Sequence, residues 1–336
     1  HTFPPIPMSL WRSRASTTHP LTASAVRVAP RHRPVPVYLE VSSDVPRQHA
    51  RAIALDEPHL EVAGRFDSRD DLRAAELLRA SERPVILAGM DALRDGASEQ
   101  LRRLAERWSI PVMVSPKAKG VFREDHPLFL GTIEMFGTSM LYEYLDGCDL
   151  VIMIGFEPVE FNRDWTASAR VVHIGPLPND DLYYSSEAEL VGAVPLGIEL
   201  LLEAAGNATA KHQAVDVARF RSDFWSFVNP TRSGLTAQDV LAELRRALPE
   251  DAIVTCDVGQ NKAVTGQCWP AYLPKTFYMS NGLSSMGYGL PAALGLQLIN
   301  PGARVACVLG GAGFAVYCGC VGTVFHLALP RLVGVL

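Results

Sequence analysis

Short apolar runs alternate with amphipathic segments through the middle of the chain. Runs typical of buried strands occupy residues 83–89, 110–114, 150–155 and 170–174. Between the first two, residues 95–108 place four apolar side chains on one helical face: Leu101, Leu104, Ala105 and Trp108. Strands that alternate with helices indicate a parallel sheet covered on both faces. The pattern therefore predicts a doubly wound α/β domain over residues 70–205.

A second α/β unit is predicted over residues 233–336. A helix over 236–248, with Thr236 as its candidate N-cap, precedes predicted strands at 252–256 and 304–309. A helix over 290–299 separates these strands, and residues 320–336 are expected to form a helix and then a buried strand. Residues 49–69 and 206–232 have weaker periodicity, so we predict that both are linkers.

Composition limits the classes of function. The chain has 336 residues, 48% hydrophobic and 20% charged, with a net charge of −5, so it can bury a core and has no general attraction for nucleic acid. The absence of any run of about 18 uninterrupted apolar residues argues against a membrane span. The six cysteines form no C-x-x-C pair, which favours reduced thiols and a cytoplasmic location.

The amino-terminal segment allows two interpretations. Residues 1–39 contain five arginines and no acidic residue, a composition typical of an organelle transit peptide. The apolar run at 35–41 predicts a buried strand instead, and it favours the end of a globular domain. We therefore expect residues 1–39 to be part of a domain.

Glycine-bearing segments follow several of the predicted strands. They are Gly89, residues 257–260 (Asp-Val-Gly-Gln), residues 280–293 and residues 310–314 (Gly-Gly-Ala-Gly-Phe). Ligands of parallel sheets bind at the carboxyl ends of strands, where exposed N–H groups can hold phosphate. None of the segments matches G-x-G-x-x-G or G-x-x-x-x-G-K-[ST], so a dinucleotide fingerprint and a P-loop are both excluded.

These segments resemble the diphosphate-binding domain of thiamine diphosphate enzymes of the acetolactate synthase type. The similarity rests on Asp-Val-Gly-Gln at 257–260, Ser-Asn-Gly-Leu-Ser-Ser-Met-Gly-Tyr-Gly-Leu-Pro-Ala-Ala at 280–293 and Val-Leu-Gly-Gly-Ala-Gly-Phe at 308–314. Residues 111–127 and 155–161 are similar to the central domain of that family. Residues 36–46 resemble the closing strand of its pyrimidine-binding domain, which implies that residues 11–29 form the preceding helix.

The resemblance implies an architecture and a chemistry. It implies two doubly wound parallel-sheet domains: a central nucleotide-binding fold at 70–205 and an incomplete thiamine diphosphate-binding fold at 233–336. Residues 1–48 would be a remnant of the pyrimidine-binding domain, a helix and a strand. The implied cofactors are thiamine diphosphate and Mg²⁺, with FAD as a further possibility, and the implied reaction is decarboxylation or carboligation of a 2-keto acid.

The resemblance also assigns site residues. Gln260 would contact the cofactor or its diphosphate, and Met286 would support the bent coenzyme, although core packing is the alternative for Met286. Backbone near Gly282, Leu283 and Gly287 would touch the pyrimidine ring. The diphosphate loop would consist of four consecutive residues: Gly310, Gly311, Ala312 and Gly313.

The chain departs from the family pattern at its metal site. The family motif reads Gly-Asp-Gly, whereas here Gly311 takes the place of Asp and Ala312 the place of the following Gly. Glycine offers no carboxylate to Mg²⁺, so no metal ligand is assigned and weakened metal binding is expected. The second family ligand, an Asn, would fall after Leu336. No catalytic residue is assigned either, because the family's catalytic Glu belongs to the pyrimidine-binding domain, so we expect the chain to be inactive alone.

A different class of function remains open at this stage. The chain could be a non-catalytic nucleotide-binding or scaffold module that uses Gly89, Lys117 and Gly155 of the central domain to hold FAD or ADP. If the coenzyme assignment is right, the expected partners are a 2-keto acid substrate and either further copies of the chain or another chain that supplies the pyrimidine-binding domain.

Overall fold

A computed structural model describes residues 11–12, 39–40, 68–161, 164–179, 184–206, 214–327 and 332–335. The chain forms two compact units, His1–Gly64 and Arg65–Leu336. In the first unit, strand β1 (Trp11–Arg12) pairs in parallel with β2 (Leu39–Glu40). The helix predicted from residue 11 is therefore wrong at its start, since Trp11 lies in a strand. The remainder of that helix, 13–29, lies outside the described residues.

The second unit begins with a seven-stranded sheet. Its strands are β3 (Ser68–Arg69), β4 (Pro84–Ala88), β5 (Val112–Val114), β6 (Phe129–Thr132), β7 (Leu150–Ile154), β8 (Arg170–Gly175) and β9 (Ala188–Val191). They are arranged in the order β3-β9-β8-β7-β4-β5-β6, and every pairing is parallel except that of β3 with β9. The four strands and the parallel sheet predicted for this region are confirmed.

Helices cover both faces of this sheet. They are α1 (Asp71–Ala80), α2 (Met90–Arg94), α3 (Ser98–Trp108), α4 (Thr138–Asp146) and α5 (Val194–Ala205). Successive residues of β4 point to opposite faces, so that Ile86 belongs to one apolar cluster and Leu87 to the other. The predicted face of α3 is buried, which confirms the helical period read from the sequence.

Both segments predicted as linkers contain ordered elements. Strand β3 lies at the end of 49–69, and it is too short for its hydrophobic pattern to reveal it. Within 206–232, helix α6 (Ala214–Val228) buries Val217, Phe224 and Val228 against the central sheet. These residues recur at helical spacing, but the charged residues between them weaken the periodicity that the sequence shows. Helix α6 therefore packs as part of the central domain.

The second sheet has four parallel strands in the order β11-β10-β12-β13: β10 (Ile253–Cys256), β11 (Phe277–Met279), β12 (Val305–Val308) and β13 (Leu332–Val335). Its helices are α7 (Ala237–Ala247), α8 (Gln260–Cys268), α9 (Gly289–Ile299), α10 (Gly311–Tyr317) and α11 (Cys320–His326). Thr236 caps α7 in a capping box with Asp239, as predicted. The prediction of a buried final strand is wrong, because β13 is an edge strand and Val333 is 45% exposed.

The two sheets of this unit are joined through the loop after β5. A Cβ at Gly120 would lie 2.2 Å from the carbonyl oxygen of Leu273, so the two backbones cross at this point only because residue 120 is glycine. Nearby, the buried Lys119 forms an ion pair with Glu124 at 2.7 Å. Among the described residues, no helix is both long and apolar enough to cross a membrane.

Candidate functional site

The carboxyl ends of three parallel strands carry the glycine-bearing segments. Strands β10, β11 and β12 are neighbours that run in the same direction, so residues 257–259, 280–288 and 309–310 all follow strand ends at one edge of the sheet. This is the edge at which parallel α/β sheets bind ligands. The sheet topology thus brings together the three segments singled out from the sequence.

A buried carboxylate connects these segments. The backbone N–H of Gly287 donates to both carboxylate oxygens of Asp257, at 3.0 and 3.1 Å, and the N–H of Val258 donates to Oδ1 at 2.7 Å. Asp257 is only 1% exposed. A buried carboxylate needs donors of this kind, and in return it fixes the position of Gly287.

Two glycines at this junction cannot carry a side chain. A Cβ at Gly313 would lie 2.1 Å from Oδ2 of Asp257, far inside van der Waals contact. Gly287 has a φ of +82°, and a Cβ there would lie 2.1 Å from the Tyr317 ring. The close approach of 257, 287 and 313 therefore depends on the glycines that the sequence places there.

A lysine reaches the same loop from helix α8. The ammonium of Lys262 donates to Oδ1 of Asn281 at 2.9 Å and to Oγ of Ser284 at 3.0 Å. Partial burial lowers the pKa of Lys262, and the nearby charge of Lys117 lowers that pKa further. Lys262 thus places a half-buried positive charge beside residues 281–284.

The residues assigned to the pyrimidine contact lie in an open loop. Leu283 is 93% exposed and Met286 is 49% exposed, so the core-packing alternative for Met286 is wrong. Gly282 is exposed, with a φ of +82°. Gly287 is the exception, since it is buried against Asp257.

The residues assigned to the diphosphate contact lie at the starts of α8 and α10. Gln260 is the exposed first residue of α8. Gly311 and Ala312 are exposed in the first turn of α10, and Gly310 precedes them. A Cβ at Gly310 would lie 3.6 Å from Oδ1 of Asn261, so the first turn of α8 flanks this loop. Gly313 is buried against Asp257, which separates it from its exposed neighbours.

Sequence reasoning missed two residues of this region. The sequence prediction includes Asp257 only as part of the motif at 257–260, although an acidic residue directly after a buried strand is a usable signal. Lys262 lies two residues after Gln260 and gave no signal by itself. Both act through contacts with a loop some 20 to 30 residues away, and only the fold reveals those contacts.

A cavity of about 470 Å³ opens between the central sheet and this edge. Its central-domain side includes Met90, Arg94 and Lys117, and its other side includes the segment from Phe277 to Asn281 and Tyr288. Arg94 pairs with Asp91 at 2.9 Å, whereas Lys117 has no ion-pair partner among the described residues. The cavity therefore combines aromatic side chains with positive charge.

The two glycines considered for nucleotide binding pack against protein. A Cβ at Gly89 would lie 2.5 Å from the carbonyl oxygen of Gly155, and a Cβ at Gly155 would lie 2.2 Å from the backbone nitrogen of Ala92. Glu160 is buried at the same place, where burial raises the pKa of its carboxyl to about 7. Close backbone packing explains both glycines without a nucleotide.

The fold and this edge define an α/β protein with two parallel-sheet domains and a cluster of glycine-bearing loops at the carboxyl ends of the strands of the second sheet. Residues 72–201 match the family model "Thiamine pyrophosphate enzyme, central domain", and residues 257–336 match "Thiamine pyrophosphate enzyme, C-terminal TPP binding domain". Together the matches take in more than half of the chain. The chain belongs to the thiamine pyrophosphate enzyme family.

Curated relatives are similar to the chain over most of its length. It is 30% identical to the probable acetolactate synthase large subunit of Methanocaldococcus jannaschii over 92% of this chain and 56% of that protein. It is 29% identical to the acetolactate synthase large subunit of Parasynechococcus marenigrum over 92% and 52%, respectively, and 27% identical to the acetolactate synthase isozyme 1 large subunit of Escherichia coli over 86% and 52%. The chain spans about half the length of the curated relatives it matches. These comparisons favour the coenzyme-binding hypothesis over the scaffold alternative.

The coenzyme and the metal of this family fit the chain differently. Glycine loops with open space beside them suit an anionic diphosphate, and so does Lys262, which pairs with no acidic residue in the described part of the chain. A metal site of the family type does not fit, because Gly311 has no ligand atom in its side chain. In the part of the chain that the structure describes, no group of three His, Cys, Asp or Glu residues could hold a metal ion.

Proposed function

We propose that this chain binds thiamine diphosphate at the carboxyl edge of its second sheet and is the coenzyme-binding part of an acetolactate synthase-type enzyme. The observation that carries the proposal is the junction of Asp257, Gly287 and Gly313, which joins the three loops in one place. When bound, the coenzyme supplies a carbanion at its thiazolium ring and an electron sink for decarboxylation of a 2-keto acid.

The chain's own residues would hold and orient this coenzyme. Gly310–Gly313 and Gln260 would offer backbone and amide groups to the diphosphate, and Met286 would support the ring system from its exposed position. Gly282, Leu283 and Gly287 would form the wall beside the pyrimidine. Asp257 acts as a positioning residue, since its carboxylate holds the backbone of Gly287.

We propose that the chain completes a catalytic site only with a pyrimidine-binding domain, supplied by further copies of a longer protein or by another chain. None of the residues at this edge is assigned as the acid that acts on the pyrimidine ring. The substrate would be a 2-keto acid. The six cysteines are all free thiols, which supports a reducing compartment such as the cytoplasm.

FAD is a further proposed ligand, and the cavity between the two sheets is the place that supports it. Tyr278 and Tyr288 offer aromatic faces there, and Lys117 offers a positive charge to a phosphate. A titration with FAD, followed by its flavin fluorescence, tests this proposal separately from coenzyme binding.

Titration calorimetry of the whole chain with thiamine diphosphate tests the main proposal. We expect saturable binding, together with no release of CO₂ from pyruvate by the chain alone. Gly287→Ala is the disrupting variant, because alanine is strained at φ +82° and its Cβ would collide with Tyr317. It should abolish binding, while Gly302→Ala, at an open position, should leave binding unchanged. No heat of binding with the unaltered chain would contradict the proposal.

A further inference from the structure

Lys262 forms no ion pair with any residue that the structure describes. Its ammonium donates to two neutral oxygens, those of Asn281 and Ser284, and no acidic side chain in the described part of the chain forms an ion pair with it. The neighbouring group that favours its charged form is the thiol of Cys256. Burial raises the pKa of Cys256 to about 12, so that thiol carries no charge near neutral pH.

A half-buried ammonium of this kind has unused capacity for an anion. Removing a charge from water costs free energy unless an opposite charge or strong hydrogen bonds replace the lost hydration. Lys117 lies near enough to lower the pKa of Lys262, so two positive charges act on the same region. Lys117 and Asn281 both line the cavity between the sheets, which gives an anionic group a route to this place.

The loop that should carry the family's metal ligand lies beside the same helix. Gly310 is flanked by Asn261, the residue before Lys262, and Gly311 follows it without a carboxylate. Among the described residues, no heavy atom would lie within 4 Å of a Cβ at Gly311, so the space beside this position is open. The loop has lost negative charge, while the adjacent helix carries an unpaired positive charge.

We propose that Lys262, assisted by Lys117, supplies the positive charge that faces the diphosphate of the coenzyme, so that this chain binds its coenzyme without a divalent cation. Two ammonium groups provide the same charge as one Mg²⁺ ion. They also donate hydrogen bonds to the phosphate oxygens, and hydrogen bonds between ionised groups are stronger than those between neutral groups. This inference rests on the proposed function, because it concerns how the same site holds the same coenzyme.

The decisive measurement is calorimetric titration of the full chain with thiamine diphosphate, once with EDTA and once with excess Mg²⁺. We expect the two affinities to agree within about twofold. Lys262→Met should weaken binding by about 10- to 100-fold, the effect of losing a charged hydrogen-bonded partner. Lys262→Arg should restore most of the affinity, because arginine keeps the charge. Arg232→Met, at an exposed position, is the control for net charge and should change nothing.

Inorganic pyrophosphate is the second probe, because it has no ring system. It should compete with thiamine diphosphate, and Lys262→Met should weaken both ligands by similar factors. If Lys262→Met leaves pyrophosphate binding unchanged, Lys262 does not face the diphosphate and the inference is wrong. Lys262→Gln, which keeps a hydrogen-bond donor but no charge, repeats the test if the methionine variant does not fold.

The outcomes separate this inference from the proposed function. Binding that requires Mg²⁺ would overturn the inference and leave the proposed function standing. Absence of binding with EDTA and with Mg²⁺ would overturn both. Metal-independent binding that is lost in Lys262→Met and Lys262→Gln and restored in Lys262→Arg would support both.

Discussion

The carboxylate of Asp257 accepts two hydrogen bonds from the backbone N–H of Gly287, at 3.0 and 3.1 Å, across thirty residues of sequence. The same carboxylate stands where a Cβ at Gly313 would collide with it. One buried side chain therefore fixes the end of one loop and forbids any side chain on another. This edge of the second sheet is therefore held from within the domain, by a buried side chain.

We predict that Asp257 and Gly313 are energetically coupled. Asp257→Ala leaves buried N–H groups without an acceptor and should cost about 2–4 kcal/mol of unfolding free energy. Gly313→Ala should cost about 1–3 kcal/mol in the unaltered chain by overpacking. It should cost much less when Asp257 is already Ala, because the colliding oxygen is gone. Urea unfolding of the two single variants and the double variant measures this coupling.

Gly295 provides the matched control for this cycle. It lies inside α9 with open space at its Cβ position, so Gly295→Ala should stabilise the chain by up to about 1 kcal/mol through helix propensity. If the losses of unfolding free energy in Asp257→Ala and Gly313→Ala simply add in the double variant, the collision at 2.1 Å does not determine how much Gly313→Ala destabilises the chain.

Restoring a carboxylate at position 311 should introduce metal dependence. The position is exposed and open, so Gly311→Asp is sterically permitted. Carboxylate oxygen is a preferred ligand of Mg²⁺. We expect thiamine diphosphate to bind Gly311→Asp more weakly than the unaltered chain in EDTA, through repulsion, and at least tenfold more tightly after Mg²⁺ is added. Calorimetric titration in both conditions makes the comparison.

Gly311→Asn separates charge from size in this experiment. It is nearly the same size as Asp and carries an amide oxygen without the charge, so it should show little response to Mg²⁺. An equal response in the Asn and Asp variants would mean that the carboxylate is not the ligand that matters. If neither responds, the loop does not present residue 311 to a metal beside the diphosphate.

Much of the fold could be predicted because local pattern and final environment agree. Strand β7 is a continuous apolar run and is buried on both faces, and Thr236 with Asp239 forms the capping box that the spacing suggests. Helix α6 shows the opposite case. Its buried Val217 and Phe224 are separated by charged residues, and the weak overall amphipathicity hid a helix that packs on the central sheet.

The site could be predicted only as far as its loops. The sequence motifs identify the segments at 257–260, 280–293 and 310–314. These segments lie at one edge of the second sheet, because they follow the parallel strands β10, β11 and β12. The hydrogen bond from Gly287 to Asp257 and that from Lys262 to Ser284 join residues that are distant in sequence. Such contacts depend on tertiary geometry, which residue types and spacing alone do not fix.

Glu160 should make the stability of the central domain depend on pH. Burial raises the pKa of its carboxyl from 4.5 to about 7. The folded chain therefore holds this proton more tightly than the unfolded chain. The unfolding free energy that this tighter proton binding contributes is fully present below the ordinary pKa of 4.5. It is lost as the pH rises towards 7, and the total loss is about 3 kcal/mol.

Glu160→Gln removes this titration and should flatten the profile. We expect the variant to unfold at a higher temperature than the unaltered chain at pH 8 and at a similar temperature at pH 4.5. Thermal melts across this range provide the test. Glu203→Gln, at an exposed position of α5, should leave the profile unchanged. A profile of Glu160→Gln as steep as that of the unaltered chain would assign the pH dependence to other groups.

The buried ion pair of Lys119 and Glu124 should stabilise the contact between the two sheets only when both charges are present. The pair is 2.7 Å apart, and the N–H of Ala271, from the second sheet's domain, donates to the same carboxylate oxygen at 3.1 Å. Lys119→Met leaves a buried carboxylate without its cation and should cost about 3–5 kcal/mol. Lys119→Met combined with Glu124→Gln should recover much of this loss, because Gln is neutral and still accepts from Ala271. Urea unfolding of the two single variants and the double variant measures the coupling between these residues. If the double variant loses as much unfolding free energy as the two single variants together, packing at these positions, rather than the unpaired charge, determines the loss.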